Sequence, residues 1–423
     1  MLGFQAALAV AQEDAGTQES AGTQESAGTQ ESSFAPDDKS PLSLSVSQSV
    51  SWDNNIYRLP DEEYLGPSAR GKKRSDTLYT TKASVNFDKE YSRQAFHAGL
   101  AANYTKYGSH SELSNFSPDA RLHWDWRAGD RWSGVLGCNY SDTFVGFDNT
   151  YSAVSNTERD RLMRQLLRCN ASADYWWHPN WATGFGYSDV RTDYNSDAWS
   201  RSKYNAQTKS LNLTYRPSTG NRVVLSYRAE DGEYPNQDKV TGSLREWSQR
   251  EGRISAQWRL SGVTQLSGYI GYTKRKYEWA SDRNFSRPVS NIAVHWVPTG
   301  KALIDLSWRR EVGADADLVS NYAESEVWAL HPTWVLTSKI RLGASYEYRK
   351  RDYHKYRDLA GMDPEGRYLP RDSKITAYGL NFQYLPTPNA NIALGYQHQN
   401  RNASSDEYGF RARTIWLSAS LTF

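Results

Sequence analysis

The sequence lacks the features that identify most soluble enzymes and helical membrane proteins. Only 2 of its 423 residues are cysteine and only 3 are methionine, and the mean hydropathy is −0.77. No window approaches about 18 uncharged apolar residues, so a helical membrane protein is excluded. Two cysteines are too few for a disulfide-stapled scaffold or for a metal site made of four thiolates.

Motifs of common enzyme chemistry are missing as well. The 8 histidines are scattered and do not have the spacing of a metal site. The sequence contains neither a nucleophile elbow nor a phosphate-binding loop. We therefore expect no enzymatic activity, no cofactor, no metal and no nucleic-acid partner. One alternative stays open. The strand pattern described below places His97 and His123 on neighbouring strands and on the same face, which is compatible with the active site of a β-barrel enzyme.

Aromatic residues are abundant, with 28 Tyr and 16 Trp, which excludes disorder over most of the chain. The N-terminal part is different. An apolar run over residues 2–11 resembles the end of an export signal, so we interpret 1–14 as a signal-peptide remnant. The repeat AGTQES occurs three times over 15–32, and residues 15–41 are predicted to be a disordered acidic tail.

From Leu42 onward, apolar and polar side chains alternate along segments that are long enough to be strands, as in Ile340, Arg341 and Leu342. Short turns and long polar stretches follow these segments in alternation, which is typical of outer-membrane barrels. We predict an all-β fold for 42–423, a transmembrane antiparallel outer-membrane β-barrel of about 18 strands, with short periplasmic turns and long extracellular loops. The predicted strands begin near residues 42, 77, 95, 119, 131, 161, 181, 205, 221, 243, 263, 288, 301, 323, 338, 372, 389 and 409.

The even strand count predicts that both termini are periplasmic, in the outer membrane of a Gram-negative bacterium. Tryptophans beside the short turns predict an aromatic girdle in the headgroup layer. Its predicted members are Trp126, Trp132, Trp177, Trp181, Trp258, Trp296 and Trp334. The last segment alternates up to a terminal Phe423, which resembles the recognition signal of barrels inserted by the barrel assembly machinery.

If the apolar face meets lipid, the opposite face lines a lumen in which basic residues exceed acidic ones. The candidate pore-lining residues are Arg121, Arg164, Arg168, Arg228, Arg253, Arg309, Arg341, Arg349 and Lys374. A focused positive potential attracts anions. The alternative is that lumenal arginine and acidic residues pair and only stiffen the wall.

The two cysteines, Cys138 and Cys169, fall on the lipid-facing parity of one predicted hairpin. Simple pairing of its strands brings the two thiols nearly opposite each other, at about 4.5–5.5 Å between Cβ atoms. A bulge in the loop would shift this register. The sequence therefore leaves open whether the two thiols form a disulfide.

The opening segment 42–61 contains Trp-Asp-Asn-Asn-Ile-Tyr-Arg-Leu-Pro-Asp at residues 52–61. This segment and the last strand resemble the EpsL proteins of exopolysaccharide operons, which belong to a class of porin-like β-barrels. The resemblance implies an outer-membrane barrel linked to secretion of a polysaccharide. Together with the basic lumen it predicts a channel that exports an anionic polysaccharide, with membrane lipid and the polymer as partners. The alternatives are a general diffusion porin for small anionic solutes and a non-conducting scaffold or barrel enzyme.

Overall fold

The structure is a computed structural model that describes residues 40–64, 73–147, 161–217, 220–240, 243–313, 320–356, 372–404, 406 and 409–423. The predicted signal remnant at 1–14 lies outside the described residues, as does the predicted tail up to residue 39. No helix in the described part is long and apolar enough to cross a membrane. Its helical segments are four short 3-10 turns, at Glu62–Tyr64, Ser111–Leu113, Asp197–Ser202 and Ser281–Arg283.

The described part of the chain forms eighteen strands, so the predicted count is confirmed. Each strand begins within four residues of its predicted start. The strands are β1 (Leu42–Asp53), β2 (Asp76–Tyr91), β3 (Gln94–Tyr107), β4 (Asn115–Ala128), β5 (Trp132–Phe144), β6 (Met163–His178), β7 (Trp181–Tyr194), β8 (Tyr204–Tyr215), β9 (Arg222–Glu233), β10 (Glu246–Ser261), β11 (Thr264–Tyr277), β12 (Phe285–Thr299), β13 (Ala302–Gly313), β14 (Ser320–Val335), β15 (Ile340–Tyr356), β16 (Ser373–Thr387), β17 (Ala390–Ala403) and β18 (Phe410–Thr422).

The strands close into one antiparallel barrel. Each strand pairs with the next along the chain, and β1 pairs with β18, where Val46 lies opposite Leu421 and Val50 opposite Leu417. Closure leaves no free sheet edge, so every strand has a hydrogen-bonding neighbour on both sides. A barrel of this strand number encloses an aqueous channel unless its loops fill it.

Directly opposed residues on neighbouring strands point to the same side of a sheet. The outward residues of each strand therefore lie beside the outward residues of the next, all the way around the barrel. Val50 pairs with both Tyr79 and Leu417, and all three side chains face outward. On this outward face Leu100 and Leu380 are each 65% exposed. Large apolar side chains outside and polar ones inside are the pattern of a barrel surrounded by lipid. The predicted transmembrane barrel fold is confirmed.

Short turns and long loops separate the two ends of the barrel, which we call the short-turn end and the long-loop end. Both termini of the barrel lie at the short-turn end, where Phe423 and Leu44 exchange backbone hydrogen bonds. All seven predicted girdle tryptophans lie within three residues of a short turn and face outward. Trp177 and Trp181 stack with ring centroids 6.0 Å apart. Their contact with lipid headgroups stays a prediction.

Two apolar clusters hold loops at the long-loop end. One joins Trp247 and Tyr277, from inward positions on β10 and β11, to the loop residues Tyr234 and Ala280. The other packs the loop residues Ile56, Leu113 and Phe147 on Tyr107 of β3. Trp247, Tyr277 and Tyr107 belong to the inward face. The loops that pack on them therefore cover part of that face and narrow the opening of the barrel at the long-loop end.

Residues 53–60, which we call the rim loop, fold into a compact hydrogen-bonded turn after β1. The Asp53 carboxylate accepts from the backbone N–H of Asn55 at 2.7 Å and pairs with the Arg58 guanidinium at 2.8 Å. The Asn55 side chain bonds the backbone of Leu59 and donates to the carbonyl of Arg411 at 3.0 Å. The rim loop therefore fastens β1 to the end of β18.

Cys138 and Cys169 form a disulfide between β5 and β6. The two residues are directly opposite in the strand register, with Cα atoms 4.1 Å apart, and both face outward. The simple hairpin register of the sequence analysis is therefore confirmed. It places Arg164 and Arg168, which have the opposite parity on β6, on the inward face.

Candidate functional site

The inward face of the barrel is the candidate functional site, because solutes that cross such a barrel meet only this surface. Eight of the nine predicted pore-lining residues have the inward parity. They are Arg121, Arg164, Arg168, Arg228, Arg253, Arg309, Arg341 and Arg349. Whether a solute contacts them stays a prediction.

Lys374 is the exception, and its assignment to the lumen is wrong. The residue shares the parity of Tyr378 and Leu380, which are exposed on the outward face, and its side chain is exposed too. Its neighbour Ile375 is buried on the inward face. Near the long-loop end the usual pattern is reversed, since the outward side chain is charged and the inward one is apolar.

Several inward arginines are paired with an acid two residues away on the same strand. The Arg253 guanidinium pairs with Glu251 on β10. Arg309 lies 3.0 Å from Glu311 on β13, and Arg349 lies 2.9 Å from Glu347 on β15. Residues i and i+2 of a strand share a face, so this spacing brings opposite charges together. These pairs neutralise charge that the sequence analysis assigns to attracting anions.

A buried group on β9–β11, which we call the wall cluster, consists of Arg228, Glu230, Glu251, Arg253 and Arg275. Arg275 is fully buried. Its Nε donates to the side-chain oxygen of Gln249 at 2.9 Å, and its Nη2 lies 3.6 Å from a Glu230 oxygen.

Aromatic rings pack against two arginines of the wall cluster. The Arg275 guanidinium lies 3.7 Å from the centroid of the Trp247 ring, and the Arg253 guanidinium lies 3.8 Å from that of Tyr269. The Trp247 indole lies over Gly232, its partner on β9. A Cβ atom at that position would collide with the indole, so glycine leaves the space that the ring needs. Cations over aromatic faces are favourable when desolvated, so the cluster stabilises the wall.

The wall cluster also encloses a small polar cavity. Its volume is about 10 Å³, and Thr208, Arg228, Glu230, Gln249 and Glu251 line it. That volume suits about one water molecule, and these polar side chains can hydrogen-bond it. The cavity is too small for an organic solute, so this part of the wall is structural.

Other inward cations have no acidic partner within the described part of the chain. Arg127, Arg259 and Arg341 are near the short-turn end, and Arg164 is near the long-loop end. Lys82 and Arg121 lie between these levels, and the Arg121 guanidinium donates to the Asn86 side chain at 2.8 Å. These six residues occupy successive depths of the inward face, as a path for anions requires.

Acidic and histidine side chains gather on the inward face of β2–β4. A ring nitrogen of His97 lies 2.6 Å from Asp88, and one of His123 lies 3.1 Å from Asp125. Within the described chain neither ring bonds a serine or threonine hydroxyl, and no group of three or more His, Cys, Asp or Glu is placed to hold a metal. The absence of enzymatic activity stays a prediction.

The sequence analysis missed several inward residues. Arg275, Arg287 and Arg401 have the inward parity but were not among the candidates, and neither were Asp119 and Glu311. The three added arginines outnumber the two added acids, so the basic excess on this face remains. The parity of Ile270 and Tyr272 identifies Arg275, because the alternation on β11 continues without a break.

No protein-family model matches the sequence, and no curated protein matches it. Solved structures that resemble the fold include a BenF-like porin from Pseudomonas fluorescens Pf-5, with 9% identity, coverage of 90% of this chain and 99% of that one, and a TM-score of 0.48. OccK2 (OpdF) from Pseudomonas aeruginosa in complex with glucuronate has 10% identity, coverage of 90% and 98%, and a TM-score of 0.46. The siderophore receptor PiuA from Acinetobacter baumannii has 9% identity, coverage of 90% and 82%, and a TM-score of 0.43. Similarities this low do not assign a function.

Proposed function

We propose that the chain is an outer-membrane channel through which small anionic solutes diffuse, with its short-turn end and both termini in the periplasm. The observation that carries this proposal is the set of inward cations without an acidic partner, which lie at successive depths of the barrel. In a tube with low-dielectric walls, such charges focus a positive potential and raise the local concentration of anions. Weak binding at several sites allows conduction without trapping.

The distribution of inward acids supports the same direction of selectivity. On β10, β13 and β15 the acids Glu251, Glu311 and Glu347 are paired with arginines. The acids that pair only with histidine include Asp88 and Asp125 on β2 and β4 and Asp305 on β13. The cations without an acidic partner make the rest of the lumen wall basic, so a solute that carries a carboxylate or phosphate is favoured along it.

Current through the reconstituted full chain in a planar bilayer tests this proposal. In a KCl gradient the reversal potential should indicate a preference for chloride. Replacing Arg127, Arg259 and Arg341 together by glutamate should weaken or reverse the preference for chloride. These cations have no acidic partner, so their replacement does not also leave an acid unpaired.

The matched control makes the same change of charge on the outward face, through Lys374→Glu, Arg411→Glu and Arg413→Glu. It should leave the reversal potential unchanged, because these side chains do not face the lumen. Cation preference in the unmodified protein would contradict the proposal. So would an equal shift in the control variant.

A second candidate is the export of an anionic exopolysaccharide, and the resemblance of residues 52–61 to EpsL proteins favours it. In the structure, Asp53, Asn55 and Arg58 of this segment are engaged in the rim loop. Their contacts give the segment a role at the seam between β1 and β18 that needs no polymer. Addition of an acidic polysaccharide to one side of the bilayer separates the candidates, since an export channel should be blocked at concentrations that leave a small-solute porin open.

A further inference from the structure

The outward surface of β15–β18 has a concentration of positive charge at the long-loop end. Its cations are Lys350, Lys374, Arg411 and Arg413, and we call these four residues together with His398 of β17 the outer patch. In the strand register Lys350 lies directly opposite Lys374, and His398 lies directly opposite Arg413. The amide side chains of Asn400 and Asn402 lie between the lysines and Arg411, because Asn402 pairs with Lys374 and Asn400 with Arg411. The patch therefore extends without a gap over four adjacent strands.

Most of this charge has no counter-charge on the protein. Lys350 lies 2.6 Å from the Asp352 carboxylate. Within the described chain Lys374, Arg411 and Arg413 form no ion pair, and all three side chains are exposed. Like charges directly opposite each other destabilise a sheet, and the Asp352 carboxylate offsets only the charge of Lys350 and not that of Lys374.

The apolar surface begins directly below the outer patch. On β16 the outward residues after Lys374 lead to Leu380, and on β18 those after Arg413 are Ile415 and Leu417. These apolar side chains are well exposed on the same face. The cations thus lie at the level where acyl chains end and headgroups begin, if the barrel is embedded in lipid as proposed above.

We propose that the outer patch binds the phosphate groups of an anionic lipid in the leaflet at the long-loop end. Guanidinium groups match phosphate oxygens in geometry as well as in charge, and Arg411 and Arg413 project from the same face two residues apart. A lipid satisfies both parts of this surface, because its headgroup neutralises the cations while its chains cover Leu380, Ile415 and Leu417. Free phosphate satisfies only the first part. The inference rests on the membrane placement in the proposed function, but not on anion selectivity.

Native mass spectrometry of the full chain in neutral detergent, with lipid A as the probe, tests the inference. Diphosphorylated lipid A should bind more tightly than the form with one phosphate. The triple variant Lys374→Gln, Arg411→Gln and Arg413→Gln should lose roughly 100-fold in affinity, since each Lys or Arg near a membrane surface contributes about fivefold. The charge-matched control is Lys209→Gln, Lys274→Gln and Lys276→Gln, which removes outward cations from β8 and β11 and should bind nearly as the unmodified protein does.

Three results would overturn the inference. Equal affinity for the two forms of lipid A would mean that phosphate is not recognised. An equal loss in the control variant would mean that total charge governs binding. Displacement of the lipid by millimolar inorganic phosphate, with no added affinity from the acyl chains, would identify free phosphate as the ligand. None of these measurements uses ionic current, so a failure of the anion-channel proposal is detected separately by the reversal potential.

Discussion

The wall cluster inside the barrel and the outer patch outside it contain the same kinds of residue in opposite circumstances. Inside, Arg275 is fully buried between Trp247, Gln249 and Glu230. Outside, Lys374 is exposed and has no acid beside it in the described chain. A buried cation that an acid, an amide and an aromatic ring hold in place stabilises the wall, whereas an exposed cation without an acidic partner remains available for a ligand. Position on the sheet and neighbouring acids, rather than residue type, therefore distinguish structural from functional charge here.

The largest expected effect is on stability, from a change inside the wall cluster. Arg275→Met should lower the free energy of unfolding by about 3–5 kcal/mol, because it leaves Glu230 buried without its cation. Urea titration of the folded barrel in detergent micelles measures the loss. Lys374→Met is the matched control, and a substitution at such an exposed site should change stability by less than about 0.5 kcal/mol. Equal stability of the two variants would remove the distinction between the clusters.

The next effect concerns the one covalent link, which joins two strands on the outward face. Cys138→Ala with Cys169→Ala should lower the free energy of unfolding by about 2–4 kcal/mol, because the disulfide restricts the unfolded chain. The same urea titration, run on both proteins with and without reductant, measures this loss of stability. Reductant should destabilise the unmodified protein by the same amount and leave the double variant unchanged. A double variant that responds to reductant would contradict this assignment.

A smaller effect should follow when the outer patch is given an acid at the spacing found inside. Thr376→Glu places a carboxylate two residues from Lys374 on the same face, as Glu230 is placed from Arg228. Affinity for diphosphorylated lipid A should fall about threefold, since an exposed ion pair contributes about 0.2–1 kcal/mol. Thr376→Gln is the neutral control and should bind as the unmodified protein does. Unchanged affinity in Thr376→Glu would show that Lys374 does not contact the lipid.

The smallest effect distinguishes paired from unpaired cations within the lumen. The double variant Glu251→Gln with Arg253→Gln removes a neutralised pair and should leave the reversal potential unchanged. Arg341→Gln removes an unpaired cation and should lower the preference for chloride by a fraction of the triple variant's effect. Single-channel recording in a KCl gradient measures both. A larger shift in the double variant would place the selective charge in the wall cluster.

The strand positions were predictable because every second side chain has to be apolar where a strand crosses the apolar outer surface of the barrel, which we call the apolar band. Leu342 and Tyr346 have to face outward together, and the same constraint fixes Arg341 and Arg349 inside. The girdle tryptophans were predictable for a similar reason, since they mark the edge of the band beside the short turns. Phe423 confirms only the alternation, as it is exposed on the outward face.

Lys374 could not be assigned by the same rule, because above the apolar band the outward face no longer needs apolar side chains. Its neighbour Ile375 packs inside, so local hydrophobicity indicates the wrong face. The ion pairs could not be predicted from the sequence either. The sequence shows that Glu251 and Arg253 are two residues apart, but burial and the position of Tyr269 on β11 depend on cross-strand register. The disulfide was undecided for the same reason, because a one-residue slip would separate Cys138 from Cys169.

The rim loop has a consequence for the order in which the barrel is completed. β1 is the first strand to be synthesised and β18 the last, so one edge of β1 has no partner until the chain is nearly finished. When β18 arrives, Asn54 and Asn55 bond the backbone of Arg413 and Arg411 at one end, and Leu44 bonds Phe423 at the other. A slip of one residue would exchange the two faces of β18 and break the bonds at both ends. The rim loop therefore favours one alignment of β1 and β18 over alignments shifted by one residue.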